Sequence, residues 1–511
     1  MKKTLLFLAD QPWQTKLCAQ IISQLRALHS IYDCKIVVVD FYSILHEGHF
    51  LDEVRHEFDV DIIDFLDLFL SWNEMTKSHC HSSSLSVESW RNLYEKDRSF
   101  EQIQMTNQLT YGFERNYYLL EVPNCCREQI FLDLATKVEK IFNELDPAAV
   151  ISIERQTLPV NLAQVLASVK GIPWLALIPT RIDGRWILWD GFGLGTSDKV
   201  YSIVMNLQIS REAQDFFALI VRRLMSGSEG TYMAWVGDQF LLTGQGSSST
   251  PTLTPRSEML QRWVNAFIKQ LPSRFLFHPR KRLIRPRLLD NSSWRLTLFE
   301  VRGLLAKFRY LYLSSNRFKW SPPDSEYIFW ALHVRPEGSS NVLSLGQDEV
   351  DVIAKLATLL PPQFKLVVKE NPLMFGQRSW NFYRDLSCLP NIVLAHPFSN
   401  SIEFIRKSSG VAGIAGTVLL EAEILSKPSI SFAQPEFVRF MSFSGWDELP
   451  KFLQAVQQGK LQTNEKIAKY VAYLFENSSE GDLNDSDELV GDKAQLMAQR
   501  IAKNIHARII L

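Results

Sequence analysis

The sequence predicts an α/β protein with two doubly wound domains, and three observations lead to this prediction. Short β-branched runs alternate with segments of helical periodicity between residues 5 and 39 and again between 149 and 178. The same alternation recurs, more regularly, between 327 and 432. Parallel strands need crossover connections, usually helices, so this alternation is typical of a doubly wound sheet. At 511 residues the chain is also too long for one ordinary core.

Shifts in composition divide the chain into four regions. A Ser-Pro-Pro-Asp run at 321–324 marks the approach to the second α/β domain. Residues 59–72 mix apolar side chains with acids at helical spacing, which predicts a solvated helix, and 477–487 reads as an acidic loop before a final amphipathic helix at 493–508. The predicted regions are an N-terminal α/β domain at 1–225, a helical and basic connection at 226–325, a C-terminal α/β domain at 326–440 and C-terminal helices at 441–511.

Net charge, cysteine spacing and the length of the apolar runs restrict the class of protein. The formal net charge is −1, so no global field attracts nucleic acid, and we expect no nucleic-acid partner. The six cysteines lack the paired spacing of a metal site. No apolar run approaches the ~20 residues that span a bilayer, which predicts a cytoplasmic protein. The basic stretch from Arg274 to Arg287 mixes cations with bulky apolar residues and prolines, so it is either a contact with the inner-membrane surface or a solvated linker.

The sharpest local signal lies in residues 409–422. An apolar run ends in the small residues Ala415 and Gly416, and an apolar, helix-prone segment follows at once. This pattern indicates a strand that enters a helix through a tight turn, where unpaired N–H groups and the helix dipole favour an anion. Thr417 and Glu421 are four residues apart and would share one helical face. A phosphate at Thr417 and hydroxyls at Glu421 would suit a nucleotide-sugar.

Charged residues also follow two predicted strands of the N-terminal half. Glu154 and Arg155 come directly after one strand, and Arg181 and Arg185 follow the next. Ligands of open α/β sheets meet the loops at the carboxyl ends of the strands, so these residues are candidates for lining a cleft. Asp183 and the glycine after it leave an alternative open, in which the segment is only a hairpin turn with charged flanks.

Several runs of the C-terminal half resemble the capsule polysaccharide biosynthesis family, which includes bacterial β-Kdo transferases. The runs are 332–340, 366–372, 413–422 and 427–432, and they occur in the expected order. The resemblance implies a GT-B glycosyltransferase, with two Rossmann-type domains facing one cleft. It also implies transfer of a sugar, CMP-Kdo often being the donor, to a glycan or glycolipid acceptor in the synthesis and export of bacterial surface polysaccharide. No cofactor besides the nucleotide-sugar substrate is implied.

Carried over by position, the family motif after the second strand of this domain falls on Lys369, Glu370 and Asn371. The resemblance implies that Lys369 and Glu370 lie at the donor cleft, where a lysine can neutralise phosphate. The family commonly has His-Pro where this chain has Asn-Pro, and asparagine can donate a hydrogen bond but cannot carry a proton. A His-Pro pair does occur after the next strand. His396 is therefore either a group at the same rim or an ordinary loop histidine.

The Gly-rich element carries over as well. Gly416, Thr417 and Glu421 match the family's Ser-Gly-Thr…Glu-Ala element, with Ala415 where serine is usual. That departure removes one hydroxyl donor but leaves the backbone N–H groups. Arg335 follows the first strand of the domain and is also implied to face the donor.

Sugar transfer passes through an oxocarbenium-like state, so a carboxylate must face the anomeric carbon from the acceptor side. Glu154 is predicted to take that role, with Asp183 and then Asp190 in reserve. Lys369 and the turn at Thr417 would stabilise the leaving phosphate without a metal, since no Asp-x-Asp motif stands in a suitable strand-end loop. Two alternatives stay open: a polyol-phosphate transferase or nucleotide-sugar epimerase, and a non-catalytic polysaccharide-assembly protein that keeps the fold.

Overall fold

The computed structural model describes most of both predicted α/β domains. The described residues are 2–9, 12–39, 48–65, 67–68, 124–153, 158–182, 185–190, 197–227, 261, 264–265, 301, 305, 318–334, 344, 347–371, 374, 378, 380–397, 399–459, 464–480 and 492–510. The basic stretch from Arg274 to Arg287 lies outside them.

The strands of the described chain form two sheets. The first contains β1 (Lys3–Ala9), β2 (Tyr32–Val38), β3 (Asp61–Asp64), β4 (Ala149–Ile153), β5 (Trp174–Pro179) and β6 (Arg185–Asp190). The second contains β7 (Phe318–Lys319), β8 (Tyr327–Ala331), β9 (Lys365–Lys369), β10 (Ile392–Ala395), β11 (Gly410–Gly413), β12 (Ser429–Ser431) and β13 (Phe443–Ser444). A last strand returns to the first sheet, β14 (Ser478–Glu480).

Helices connect these strands. In the N-terminal half they are α1 (Pro12–Leu28), α2 (Gly48–Phe58), α3 (Asn124–Leu145), α4 (Leu158–Lys170), α5 (Asp198–Met205) and α6 (Arg211–Ser226). In the C-terminal half they are α7 (Glu349–Leu359), α8 (Trp380–Cys388), α9 (Ser401–Lys407), α10 (Thr417–Ile424), α11 (Leu449–Gln458), α12 (Glu465–Asn477) and α13 (Asp492–Ile510). The alternation of strand and helix agrees with the prediction in the segments 5–39, 149–178 and 327–432.

Both sheets have the strand order of a doubly wound fold. The first runs β14-β6-β5-β4-β1-β2-β3, and the second runs β13-β12-β11-β8-β9-β10-β7. Without the edge strands β14 and β7, each sheet places its first strand beside its fourth, and the strand order reverses there. These switch points lie between β1 and β4 and between β8 and β11, whose pairs are parallel. Ligands of open α/β sheets bind at the carboxyl ends of the strands at such a point.

The central strands are buried on both faces, as expected for a parallel sheet covered by helices. Every residue of β4 and of β11 is buried. Helix α4 is buried continuously from Leu158 to Ala167, which exceeds the single apolar stripe of a surface helix. The apolar runs of these segments are therefore explained by burial on all sides.

Residues 61–64 of the helix predicted at 59–72 instead form a strand. β3 pairs in parallel with Lys35–Val38 of β2, and the Lys35 ammonium donates to the Asp61 carboxylate. The β-branched pair Ile62 and Ile63 suits a strand, and pairing with β2 overrides the helical spacing of the acids. This part of the prediction was wrong.

The two strands that flank the segment after β5 pair as the hairpin alternative predicted. β5 and β6 are antiparallel, with Pro179 opposite Trp186, and the Thr180 N–H donates to the Arg185 carbonyl (2.8 Å). Residues 478–480 of the predicted acidic loop form β14, which pairs antiparallel with β6. Local composition gave no sign of this pairing because its partner strand lies far away in the sequence.

The C-terminal residues therefore return to the first sheet. The final helix, predicted at 493–508, is α13, and its His506 ring stacks on His29 at the end of α1 with centroids 3.2 Å apart. The Tyr32 hydroxyl lies 2.8 Å from His506 Nδ1. In the described part of the chain no helix has the length and apolarity needed to cross a membrane.

Candidate functional site

The switch point of the second sheet lies at the N-terminus of α10. His333 follows β8 by two residues, and Gly416, which follows β11, is the N-cap of α10 and supplies no side-chain acceptor. Helices α7, α9 and α12 begin instead at Asp348, Asn400 and Asn464, whose side chains accept hydrogen bonds from the first turn. The first N–H groups of α10 therefore lack the side-chain cap that these helices have, and such groups favour an anion.

The imidazole of His333 lies against this turn. A Cβ placed on Gly416 would be 3.4 Å from His333 Nε2 and 3.4 Å from Val418 Cγ2. The φ of −73° at Gly416 is open to any residue, so the backbone conformation does not require glycine. What the missing side chain provides is close approach to the ring edge and to the backbone N–H groups.

Hydrogen bonds fix the tautomer of His333. The Ala415 N–H donates to His333 Nε2 (3.3 Å), so Nε2 is the acceptor and the ring proton is on Nδ1. Nδ1 lies 2.9 Å from Glu349 Oε1 and donates to it. The Trp330 indole N–H and the His333 backbone N–H also donate to Glu349 Oε1, each at 3.2 Å. Glu349 is 2% exposed, so these bonds hold a buried carboxylate in one position.

A second buried carboxylate, Glu370, is linked to Glu349 through Arg378. Glu370 accepts from Arg378 Nε (2.7 Å), from the Asn371 N–H (2.7 Å) and from the Tyr383 hydroxyl. Burial raises the pKa of Glu370, and the Arg378 guanidinium opposes this effect. Arg378 Nη2 donates to the His333 carbonyl (2.6 Å) and lies 3.7 Å from Glu349 Oε2. Glu370, predicted at the donor cleft, is thus engaged in bonds that hold the His333 segment.

Lys369 ends β9, the strand beside β8, and is 5% exposed. Burial lowers the pKa of its ammonium to about 8, with the Glu370 charge opposing the effect. Within the described part of the chain, its Nζ makes no hydrogen bond or ion pair. A buried ammonium without an acceptor is costly, and a phosphate would reduce that cost.

Arg181, from the first domain, reaches the same turn. It has a φ of 63°, which is uncommon for a residue other than glycine. Arg181 Nη1 donates to the Ala415 carbonyl (3.1 Å), and Nε donates to Glu436 Oε1 (2.5 Å). The guanidinium also lies 5.7 Å from the centre of the Phe437 ring. The segment after β5 in the first sheet therefore meets the segments after β11 and β12 in the second.

Four other predicted site residues have different surroundings. Arg185 is turned toward the returning C-terminal segment and donates to Ser478 Oγ (2.8 Å) and to the Phe475 carbonyl (3.1 Å). His396 follows β10 and stacks on Trp320, with centroids 3.5 Å apart. Thr417, the first residue of α10, is partly exposed, and Glu421, one turn later, is buried.

Four of the remaining predicted residues, Glu154, Arg155, Asp183 and Arg335, lie outside the described residues, and their roles stay predictions. Asp190 is the last residue of β6. Among the side chains that the structure describes, no group of three or more His, Cys, Asp or Glu residues is arranged to hold a metal ion.

Sequence reasoning singled out only part of this site, Lys369, Glu370, Gly416 and Arg181. It missed the residues that join them, which are His333, Glu349, Arg378 and Glu436. Glu349 and Arg378 meet His333 from positions 16 and 45 residues further along the chain. Glu436 meets Arg181 across 255 residues. The position of His333, just beyond the first strand of the second domain, was the one signal from which it could have been found, because that strand borders the switch point.

Comparison with known proteins finds matches among solved structures. No protein family and no curated protein matches the sequence. The UDP-GlcNAc 2-epimerase from Neisseria meningitidis bound to UDP-GlcNAc is 14% identical, with 99% of this chain and 100% of that chain covered and a TM-score of 0.25. A glycosyltransferase from Rickettsia africae ESF-5 is 10% identical, with 100% and 99% covered and a TM-score of 0.27.

A third similar structure is KpsC, the beta Kdo 2,4 transferase of Thermosulfurimonas dismutans. It is 12% identical, covers 66% of this chain and 94% of that chain, and has a TM-score of 0.28. Such values bear on neither activity nor substrate, and the strand order of the two sheets decides the fold. The chain is a two-domain α/β protein with a doubly wound sheet in each domain, the GT-B-like architecture predicted from the sequence. His333, Lys369 and the Gly416 turn belong to the second domain, and Arg181 joins them from the first.

Proposed function

We propose that the chain is a glycosyltransferase of bacterial surface polysaccharide synthesis, which transfers a sugar from a nucleotide-sugar to a glycan or glycolipid. CMP-Kdo is the first candidate donor. The observation that carries the proposal is Lys369, a buried ammonium to which the described residues supply no acceptor, at the same sheet edge as the N-terminus of α10, which has no side-chain cap. Together they offer a cation and backbone N–H groups to a phosphate, which is the leaving group of such a donor.

The proposed acceptor side belongs to the first domain. Glu154 directly follows β4, which forms the switch point of the first sheet with β1. A carboxylate there would take the proton of the acceptor hydroxyl as it attacks the anomeric carbon, with Asp183 as the alternative base. A glycolipid acceptor would bring the protein to the inner-membrane surface, where the stretch from Arg274 to Arg287 is the proposed contact.

Incubation of the full chain with single donors tests the proposal. CMP-Kdo, UDP-GlcNAc and CDP-glycerol would each be offered with and without a Kdo-terminated oligosaccharide, and released nucleotide and product would be followed by NMR. We expect release of CMP from CMP-Kdo that increases with acceptor. Lys369→Met should lose this activity, and Lys365→Met, a partly exposed lysine at the start of the same strand, should keep it.

Three outcomes would contradict the proposal in different ways. Interconversion of UDP-GlcNAc with its 2-epimer, without release of sugar, would identify an epimerase. Transfer of glycerol phosphate would identify a polyol-phosphate transferase. The absence of a thermal shift with CMP, CDP and UDP would favour a non-catalytic assembly protein, because saturation at a hundred times the dissociation constant stabilises a folded protein by about 2.7 kcal/mol.

A further inference from the structure

We propose that His333 is a proton-coupled phosphate ligand, so that binding of the donor draws one proton from solvent onto His333 Nε2. The proposal rests on the proposed function for the location of the donor phosphate at the Gly416 turn. It goes further in assigning a ligand, a partner carboxylate and a pH dependence to that site.

The first step concerns the hydrogen bond that the donor must replace. Nε2 accepts from the Ala415 N–H at 3.3 Å, so its lone pair is occupied and it presents no proton to an anion. Protonation of Nε2 turns this acceptor into a donor and breaks that bond. The Ala415 N–H and the new Nε2–H are then two donors about one hydrogen-bond length apart, a spacing that suits one phosphate oxygen or two oxygens of one phosphate.

The second step concerns access. Gly416 has no side chain, and its Cβ position lies 3.4 Å from Nε2. Residue 416 therefore has no side chain that would block the approach of a ligand to the ring edge and the turn. Lys369, at the end of the strand beside β8, adds a cation at the same sheet edge.

The third step concerns charge. Two carboxylates and two cations border the His333 segment, Glu349, Glu370, Arg378 and Lys369, and they carry no net charge while the imidazole is neutral. Protonation of His333 gives this buried cluster one positive charge, and the imidazolium keeps its Nδ1–H bond to Glu349. A positive cluster attracts a phosphate more strongly than a neutral one. Phosphate binding and protonation therefore favour each other, and linkage makes the effect reciprocal.

The balance of the step is simple. One proton leaves the buffer and binds Nε2, one N–H···N bond breaks, and the two N–H groups bind phosphate oxygen. No covalent bond of the donor changes. In the transfer that follows, the electron pair of the bond between anomeric carbon and phosphate oxygen passes to that oxygen, which these two donors stabilise.

Calorimetry in buffers of different ionisation enthalpy measures the proton directly. CMP-Kdo and UDP-GlcNAc serve as probes because their phosphodiester groups do not titrate near neutral pH. Between pH 6 and 7, Lys369, with its pKa of about 8, is already charged and contributes little uptake. We expect the wild-type protein to take up as much as one proton on binding, and its affinity to fall with rising pH by up to about tenfold per unit.

Three variants sharpen the measurement. His333→Gln keeps a hydrogen-bonding side chain that cannot be protonated, so binding should be weaker and independent of the buffer. Glu349→Gln should reduce the uptake. His56→Gln replaces an exposed histidine of helix α2, is the matched histidine control and should leave uptake unchanged. The backbone at Gly416 accommodates alanine, and the added methyl group of Gly416→Ala should weaken binding because it covers Nε2. This variant replaces the buried variants in the test if they do not fold.

The outcomes separate this inference from the proposed function. Binding of either probe to the wild-type protein without proton uptake would overturn the role of His333 and leave the donor site standing. Equal uptake by the wild-type protein and His333→Gln would do the same. If neither probe bound the wild-type protein, both the donor site and the inference would fall.

Discussion

Replacing Lys369 by methionine should stabilise the protein while removing donor binding. Lys369 is 5% exposed, and burial lowers the pKa of its ammonium from 10.5 to about 8. At about 1.4 kcal/mol per pKa unit, the folded state disfavours the charged form by about 3 kcal/mol. Methionine keeps the length of the side chain without the charge, so the variant should gain up to about 3 kcal/mol in free energy of unfolding at pH 7.

The stability gain of Lys369→Met should depend on pH in a specific way. Below pH 8 the lysine is charged in both the folded and the unfolded chain, so the whole cost is present. Between about pH 8 and 10.5 the unfolded chain holds more of this proton than the folded chain, so wild-type stability rises relative to the variant. Above pH 10.5 the lysine is neutral in both the folded and the unfolded chain, so the stability difference between wild type and variant disappears.

Urea unfolding of wild type, Lys369→Met and Lys365→Met across pH 7 to 10.5 tests the reasoning. Lys365 lies at the partly exposed start of the same strand, so its variant should follow the wild type. A Lys369→Met protein that is less stable than wild type at pH 7 would show that the ammonium has a stabilising partner. A stability gap that does not change with pH would refute the burial argument, and unchanged donor affinity would refute the phosphate role.

Four further substitutions test other parts of the structure. Gly416→Ala should leave the melting temperature unchanged but weaken donor binding about tenfold or more, whereas Gly410→Ala, whose Cβ would lie 2.7 Å from Val456 Cγ2, should lower stability by about 1–3 kcal/mol. Arg181→Ala removes two hydrogen bonds between the domains, so X-ray scattering should report a larger radius of gyration and calorimetry a weaker donor complex. Glu423→Gln replaces a buried acceptor of four hydrogen bonds and should cost about 1–3 kcal/mol in urea unfolding, with donor affinity retained.

Much of the fold followed from periodicity alone. Buried parallel strands read as short β-branched runs and their crossovers as helices, so the alternation predicted both sheets, and the strand–turn–helix at 409–422 became β11 and α10. The predictions failed where a partner far away in sequence decided the local structure. Asp61 to Asp64 pair with β2, and Ser478 to Glu480 pair with β6, and neither pairing leaves a mark in local composition.

The sequence by itself determined that a small-residue turn opens a helix at Gly416 and that Lys369 ends a strand of the same domain. Only the tertiary structure decided what surrounds that turn. His333, Glu349 and Arg378 come from separate segments, and Arg181 comes from the other domain. Side-chain hydrogen bonds depend on distances of about 3 Å, which chain topology sets and local propensity does not. For the same reason the burial of Lys369, which lowers the pKa of its ammonium, became visible only in the folded protein.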